Sequence, residues 1–227
     1  MKITYYGHSC FAVNTGGKNL LFDPFIRPNE LAKHIDIKDI PADYILLSHG
    51  HEDHVADALA IGQRTGAVLV SNYEIAIWFH KQGIKKYHPM NHGGKWNFDF
   101  GTVRYTQAVH SSSLPDGSNG GNPGGFIIET KEDSFYYSGD TALFSDMKLI
   151  PLTGINLNTA FLPIGDNFTM GVDDAVMASD FIQCNRIIGL HYDTFGFIKI
   201  NHEEAIDKFK QKGKELILMK IGETINL

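Results

Sequence analysis

Residues 48–54 decide the interpretation of this chain, because they place four metal-binding side chains within six residues. The stretch reads Ser48-His49-Gly50-His51-Glu52-Asp53-His54. It follows an apolar run, residues 43–48, that predicts a strand buried on both faces, and it precedes a helical pattern from Val55 to Arg64. Gly50 leaves the backbone free to make a tight bend between the two. The alternative is a solvated loop that happens to be rich in histidine.

Three further residues of ligand type follow predicted strands and favour a metal site over a polar loop. His110 ends a predicted meander over 96–109, Asp140 follows a predicted hairpin, and His191 follows the strand 186–190. We therefore expect seven ligands to converge on two ions. One ion would take His49, His51 and His110, the other Asp53, His54 and His191, and Asp140 would lie between them.

The ligand types indicate which cations the site would hold. Neutral imidazole and carboxylate suit zinc, manganese or iron, and the cluster contains no cysteine that would favour thiolate-binding metals. We expect two divalent ions, with zinc first and manganese or iron as alternatives. Such a pair lowers the pKa of a bridging water, which makes hydroxide available near neutral pH. Asp53 is the residue best placed to orient that hydroxide or to move its proton.

The rest of the chain alternates strands and helices. Short strands open it at 2–6, 10–14 and 19–23, and a looser segment follows over 24–41. Further strands are predicted at 67–70, 126–130, 134–138, 159–164 and 216–219, and helices at 74–82, 171–183 and from Asn201 to Gly213. Because strand-rich openings precede strand–helix alternation twice, we predict one α/β domain over 1–227, a four-layer α/β/β/α sandwich.

The amino-acid composition narrows the classes of partner that we expect this chain to bind. The chain has 20 lysines and arginines against 26 acidic residues, a net charge of -6, so its overall field opposes nucleic acids and anionic membranes. The N-terminal residues lack the apolar run of a secretory signal, which predicts a cytoplasmic protein without membrane insertion. Two cysteines, Cys10 and Cys184, are predicted to be reduced and buried. We expect a small-molecule substrate, and the assembly could be a monomer or a homo-oligomer.

The pattern H-x-H-x-D-H, followed by a distant His, Asp and His, resembles the metallo-β-lactamase superfamily. The resemblance spans nearly the whole chain and implies the metallo-β-lactamase fold. Three stretches are similar to compact metal-dependent hydrolases related to L-ascorbate-6-phosphate lactonase and, more distantly, to N-acyl-phosphatidylethanolamine phospholipase D. They are Gly7-His8-Ser9-Cys10-Phe11, Asp23-Pro24-Phe25 and Gly189-Leu190-His191-Tyr192-Asp193-Thr194-Phe195.

The resemblance also implies roles for residues outside the seven ligands. It places His8 near the metals as a hydrogen-bond partner of a ligand or a proton donor, and a turn-forming histidine is the alternative. Asp23 could support a ligand histidine, but we expect a plain carboxylate at a strand end. Tyr192 and Thr194 could line the pocket. The chain departs from the secreted zinc β-lactamases, which carry a cysteine in the second site, so antibiotic hydrolysis is not expected.

Three functions are compatible with the sequence. The first is hydrolysis of a small ester, lactone or phosphoester by a metal-bridged hydroxide. The second is a phosphodiesterase acting on phospholipid-like or nucleotide substrates, and the third is a non-catalytic metal-binding sensor. The loop 115–125 follows a ligand and contains five glycines, so it could act as a mobile lid, but it lacks the ending of a phosphate-binding loop.

Overall fold

The first of two sheets is formed by strands from both ends of the chain. The computed structural model describes residues 1–227. The sheet has seven strands in the order β14-β1-β2-β3-β4-β5-β6. Pairing is antiparallel from β14 to β3 and parallel from β3 to β6. The strands are β1 (Lys2–Gly7), β2 (Cys10–Thr15), β3 (Lys18–Phe22), β4 (Tyr44–Leu46), β5 (Val68–Asn72), β6 (Tyr87–Met90) and β14 (Thr224–Asn226).

The second sheet repeats this plan with the middle and late strands. Its order is β13-β12-β11-β10-β9-β8-β7, antiparallel from β7 to β10 and parallel from β10 to β13. The strands are β7 (Lys95–Phe98), β8 (Gly101–Gln107), β9 (Gly124–Glu129), β10 (Ser134–Tyr137), β11 (Thr159–Pro163), β12 (Arg186–Leu190) and β13 (Glu215–Ile217). The helices are α1 (Glu52–Val55), α2 (Ala58–Thr65), α3 (Tyr73–Lys81), α4 (Leu149–Leu152), α5 (Val172–Phe181) and α6 (His202–Gln211).

Three apolar cores separate four layers. The central core lies between the sheets, where the Phe11 ring of the first sheet stacks on Phe161 of the second at 4.1 Å between centroids. A second core joins the first sheet to α2 and α3, and a third joins the other sheet to α5 and α6. The α/β/β/α sandwich predicted from the sequence is therefore confirmed. None of the helices has the length and apolar character that a membrane crossing requires.

Some element boundaries differ from the prediction. The helix expected over 55–64 is divided into α1 and α2, because Asp57 turns inward and its carboxylate accepts hydrogen bonds from the backbone N–H groups of Ile26 and Arg27. Strand β13 begins at 215 and ends at 217, and the chain continues into β14 beside β1, a strand the sequence analysis missed. Three residues are too few to produce a readable alternation.

The topology places the functional residues at one edge. In parallel sheets the loops beyond the carboxyl ends of the strands form the usual ligand-binding crevice. His49 lies beyond β4, Asp140 beyond β10 and His191 directly after β12. His110 lies three residues beyond the end of β8 rather than directly after it. The two sheets together bring these loops to a common site.

Candidate metal centre

Three histidines form the first half of the site. Ring nitrogens of His49, His51 and His110 lie within 4.8 Å of one another, and His49 Nε2 is 3.0 Å from His51 Nδ1. His49 is fully buried, while the other two are partly exposed. The grouping is the one predicted for the first ion.

The intervening glycine is required for packing rather than for backbone freedom. Gly50 does not adopt a left-handed conformation. A Cβ atom at this position would lie 3.1 Å from the Ser113 carbonyl and 3.3 Å from the Leu114 side chain. The residue type at 50 therefore lets the loop after His110 approach the histidine cluster closely, which corrects our interpretation of Gly50 as a tight bend.

The second half of the site combines a carboxylate with histidines. Ligand atoms of Asp53, His54 and His191 lie within 4.8 Å of one another, and His8 belongs to the same group. Asp53 and His54 come from α1, and His191 follows β12. This grouping also matches the prediction, with His8 as an added member.

Asp140 lies between the halves. Its Oδ2 atom is 2.9 Å from His191 Nε2 and 3.2 Å from His54 Nε2. The same oxygen is 3.8 Å from His110 Nε2 and 4.0 Å from His49 Nε2. The structure thus brings the seven predicted residues together, with four of the histidines within 4.0 Å of Asp140 Oδ2, and their binding of metal stays a prediction.

The protonation chemistry of the histidines suits cation binding. Burial, with help from the neighbouring imidazoles, lowers the pKa of His49, His51 and His110. These rings are therefore neutral near pH 7 and keep a lone pair for a metal. Asp140 Oδ1 and His54 Nε2 are buried and make no hydrogen bond; the 3.2 Å approach of His54 Nε2 to Asp140 Oδ2 is an ion-pair contact without hydrogen-bond geometry. Because a buried polar atom without a partner is costly, these two atoms fit a site that is completed by a cation.

The two carboxylates are ionised. Burial raises the pKa of Asp140, but His191 and His54 outweigh it and hold the pKa well below the ordinary value. Burial also raises the pKa of Asp53, and His54 and His8 outweigh it in the same way. Burial lowers the pKa of His54, but the charges of Asp140 and Asp53 raise it by more than burial lowers it, so the net shift is upward. The carboxylates that stabilise a charged imidazole here would equally stabilise a divalent cation.

Asp23 supports His54, contrary to our expectation of a plain strand-end carboxylate. Its Oδ2 atom lies 2.8 Å from His54 Nδ1 and accepts a 2.6 Å hydrogen bond from the Tyr137 hydroxyl. Ser48 donates to the same carboxylate through its backbone N–H at 2.8 Å and through its hydroxyl. Asp23 is also near His49, but its oxygens are already occupied by these donors. It therefore orients His54 as a supporting residue.

His8 connects Asp53 to Thr194. Its Nε2 atom lies 3.1 Å from Asp53 Oδ2, and its Nδ1 atom lies 3.0 Å from Thr194 Oγ1. Burial, with the nearby His191, lowers the pKa of His8 from 6.5 to about 4. The imidazole is neutral near pH 7, and the ionised Asp53 can only accept, so Nε2 carries the hydrogen and Nδ1 accepts from the Thr194 hydroxyl. This arrangement supports the hydrogen-bonding role over a turn-forming role.

A cavity of about 720 Å³ opens onto the site. Thr194 lines it as predicted, but Tyr192 is buried against the second-sheet core instead. Phe168, Phe195 and Phe197 form the apolar wall of the cavity, which was not predicted from the sequence. Phenylalanines inside turns rich in glycine and asparagine were the available signal.

The glycine-rich loop is not a lid over this cavity. None of residues 115–125 lines it. The Asn72 side chain donates to the carbonyls of Gly120 and Asn122, and Ser112 Oγ donates to Gly120 as well. These bonds hold the loop beside β5 and α3, which contradicts the lid interpretation.

Comparisons with known proteins agree with this geometry. The sequence profile described as a beta-lactamase superfamily domain matches residues 2–191. A UPF0173 metal-dependent hydrolase from Flavobacterium johnsoniae is 58% identical over 227 residues, covering 100% of both chains. A relative of the same description from Bacillus cereus is 43% identical over 233 residues, again covering 100% of both chains.

Solved structures show the same arrangement of layers. Igni18, a metallo hydrolase from Ignicoccus hospitalis, is 33% identical with a TM-score of 0.89, covering 99% of this chain and 97% of its own. An isothiocyanate hydrolase from Delia radicum gut bacteria has a TM-score of 0.80 at 19% identity, covering 100% of this chain and 99% of its own. At that identity the second likeness supports the fold alone.

Proposed function

Because this chain belongs to the beta-lactamase superfamily and is a metal-dependent hydrolase like its UPF0173 relatives, we propose that it cleaves a small ester, lactone or phosphoester with two divalent cations. The observation that carries the proposal is the position of Asp140, whose Oδ2 atom lies within 4.0 Å of imidazole nitrogens from both halves of the site. A carboxylate in that position can serve two cations at once. We propose zinc first, with manganese or iron as alternatives, because the donors are imidazole and carboxylate.

The ligand set divides between the two cations. His49, His51 and His110 would hold one, and Asp53, His54 and His191 would hold the other. Cations bound in such a pair supply a water of lowered pKa and polarise the scissile carbonyl or phosphoryl group. The side chains then have to orient the water, move its proton and exclude competing ligands.

Asp53 is the residue we assign to the proton. Both Asp53 and Asp140 line the cavity, but the Asp53 side chain is 28% exposed and that of Asp140 3%, so Asp53 is the carboxylate more open to a substrate. It accepts a hydrogen bond from the attacking water, takes its proton and passes that proton to the leaving oxygen. His8 donates to the same carboxylate and fixes its orientation, which makes His8 a positioning residue.

The supporting residues hold the ligands in place before substrate arrives. Asp23 orients His54 from one side, and Ser48 Oγ lies 2.9 Å from His49 Nδ1 on the other. A fixed ligand geometry matters because misplaced catalytic groups lose most of their rate advantage.

The proposal is tested by metal removal and by replacing the central carboxylate. Chelated protein would be assayed before and after addition of Zn²⁺, Mn²⁺ or Fe²⁺ on phenyl acetate, a γ-lactone and bis(4-nitrophenyl) phosphate. We expect turnover of at least one substrate that chelation abolishes and a metal restores. Asp140→Asn should lower that activity by about a hundredfold or more.

Asp146→Asn is the matched control, because Asp146 is an exposed aspartate whose side chain hydrogen-bonds only with its neighbour Ser145. Its activity should equal that of the parent. Turnover that survives both chelation and Asp140→Asn would contradict the proposal.

A further inference from the structure

The cavity above the metal centre has an aromatic wall that the chemistry of hydrolysis does not require. Phe168 is 50% exposed, Phe195 37% and Phe197 78%. Phe168 and Phe197 meet edge to face, with ring centroids 6.4 Å apart. Exposed aromatic side chains grouped at a pocket mark a surface that is completed by a ligand.

The turns that carry these rings are braced. In the Phe168 turn, Asp166 N–H donates to the Met170 carbonyl at 3.1 Å, and Met170 N–H donates to Thr141 at 2.9 Å. In the turn of Phe195 and Phe197, Asp193 N–H donates to the Ile198 carbonyl at 2.8 Å. The backbone that carries the wall is therefore held in place before a ligand binds, which lowers the ordering cost of binding.

Phe195 is the residue of the aromatic wall that contacts His8. Its ring centroid lies 5.3 Å from that of His8, in an edge-to-face arrangement, and 6.3 Å from that of Phe25. A substrate that contacts the wall therefore has its reacting end beside Asp53. The cavity volume of about 720 Å³ is within the range of small-molecule sites.

The cavity offers no positive side chain to a remote anionic group. Among its 11 lining residues there is no lysine or arginine. Its two hydroxyl groups are already engaged, Thr194 Oγ1 with His8 and Ser111 Oγ with His51 Nε2 at 3.3 Å. A phosphate or carboxylate away from the reacting bond would have to lose water without gaining a partner, which is unfavourable.

We propose that the substrate is an uncharged ester or lactone whose non-reacting part is an aryl group or another planar apolar group seated against Phe168, Phe195 and Phe197. This inference rests on the proposed function and narrows its substrate class. In the reaction, the water oxygen bonds to the acyl carbon and the acyl C–O bond breaks. One proton of the water goes to the leaving oxygen, so an ester gives an acid and an alcohol or phenol, and a lactone gives a single hydroxy acid.

Two aryl esters, one of which carries a remote carboxylate, test the inference. The metal-loaded protein would be assayed on phenyl acetate and on 4-acetoxybenzoate, each rate normalised to hydroxide-catalysed hydrolysis of the same ester. We expect phenyl acetate to be preferred in kcat/KM by about tenfold or more, the effect of roughly 1.4 kcal/mol. Equal normalised values would overturn the inference.

Substitutions in the wall provide the second arm. Phe197→Ala should lower kcat/KM for phenyl acetate about tenfold, through KM, and should lower that for methyl acetate by a smaller factor. Phe197→Lys should shift the preference toward 4-acetoxybenzoate. The matched control is Leu152→Ala, because Leu152 is 79% exposed, against 78% for Phe197, and lies outside the cavity. The control should behave as the parent on both esters.

The outcomes separate the inference from the proposed function. Metal-dependent turnover without a preference for the neutral aryl ester, or without an effect of Phe197→Ala, overturns only the inference. Absence of metal-dependent turnover on every ester, lactone and phosphoester overturns the proposed function and the inference together.

Discussion

His8 and Asp53 are joined by a hydrogen bond of 3.1 Å between Nε2 and Oδ2, although they are 45 positions apart in the chain. The His8 backbone has a left-handed φ of 55°, and its carbonyl accepts hydrogen bonds from the Tyr5 hydroxyl and the His191 backbone N–H, each at 3.0 Å. The turn after β1 thus holds the residue that positions Asp53 and contacts the backbone of a predicted ligand.

The hydrogen bond between His8 and Asp53 predicts that replacing His8 lowers turnover more than it lowers the metal content of the protein. His8→Ala should lower kcat by about 10- to 100-fold, because Asp53 loses the donor that orients it. His8→Gln should recover part of the loss, since its amide N–H₂ can donate to Asp53. Kinetics and elemental analysis of the same preparations would check this. A His8→Ala protein with unchanged kcat would show that the contact is only structural.

Asp23 is predicted to contribute to both stability and metal affinity. Asp23→Asn weakens the charged acceptor of Tyr137, Ser48 and His54, so it should lower the free energy of unfolding by about 3 kcal/mol. Tyr137→Phe removes one of those donors and should cost about 1.5 kcal/mol. Urea unfolding of the chelated proteins measures both.

The substitutions at Asp23 and Tyr137 are expected to differ in their effect on metal affinity. Only Asp23→Asn removes the negative charge of the acceptor that faces the His54 ring, so it should weaken metal binding by about 10- to 100-fold, while Tyr137→Phe should have the smaller effect. Equal metal affinity in all three proteins would exclude a supporting role for Asp23.

The raised pKa of Tyr44 predicts that the folded protein loses stability at alkaline pH. Burial and its hydrogen bond to Asp99 raise the pKa of Tyr44 from 10.0 to about 12. Between these two values the unfolded chain has lost a proton that the folded chain keeps. The stabilisation is therefore complete below pH 10 and is lost as the pH rises through about 12.

The expected measurement is urea unfolding across that range. Tyr44→Phe should make the decline in unfolding free energy shallower by up to about 1.4 kcal/mol per pH unit. Burial also raises the pKa of Tyr5, Tyr105, Tyr136 and Tyr137, so the decline persists in the variant. Tyr73→Phe serves as control, because Tyr73 is 56% exposed. An identical slope for the parent and Tyr44→Phe would refute the linkage.

The layers and the candidate ligands could be predicted from the sequence because both depend on patterns among residues that are close together in the chain. His49, His51, Asp53 and His54 are close in sequence, and His110, Asp140 and His191 each follow a readable strand. The hydrogen bonds that support the candidate ligands could not be predicted, because they join residues far apart in the chain. Asp23 and Tyr137, for example, are 114 positions apart. The pairing of β14 with β1 and the meeting of Phe168 with Phe197 depend in the same way on tertiary packing.

The most direct test of the central claim is the metal content of the protein by elemental analysis, measured on the parent and on single-ligand variants after dialysis against Zn²⁺. The parent should hold two ions per chain. His110→Ala and His191→Ala should each lose one ion, from opposite halves of the site, and Asp140→Asn should weaken both. A parent that retains no metal, or variants that all retain two ions, would contradict the account.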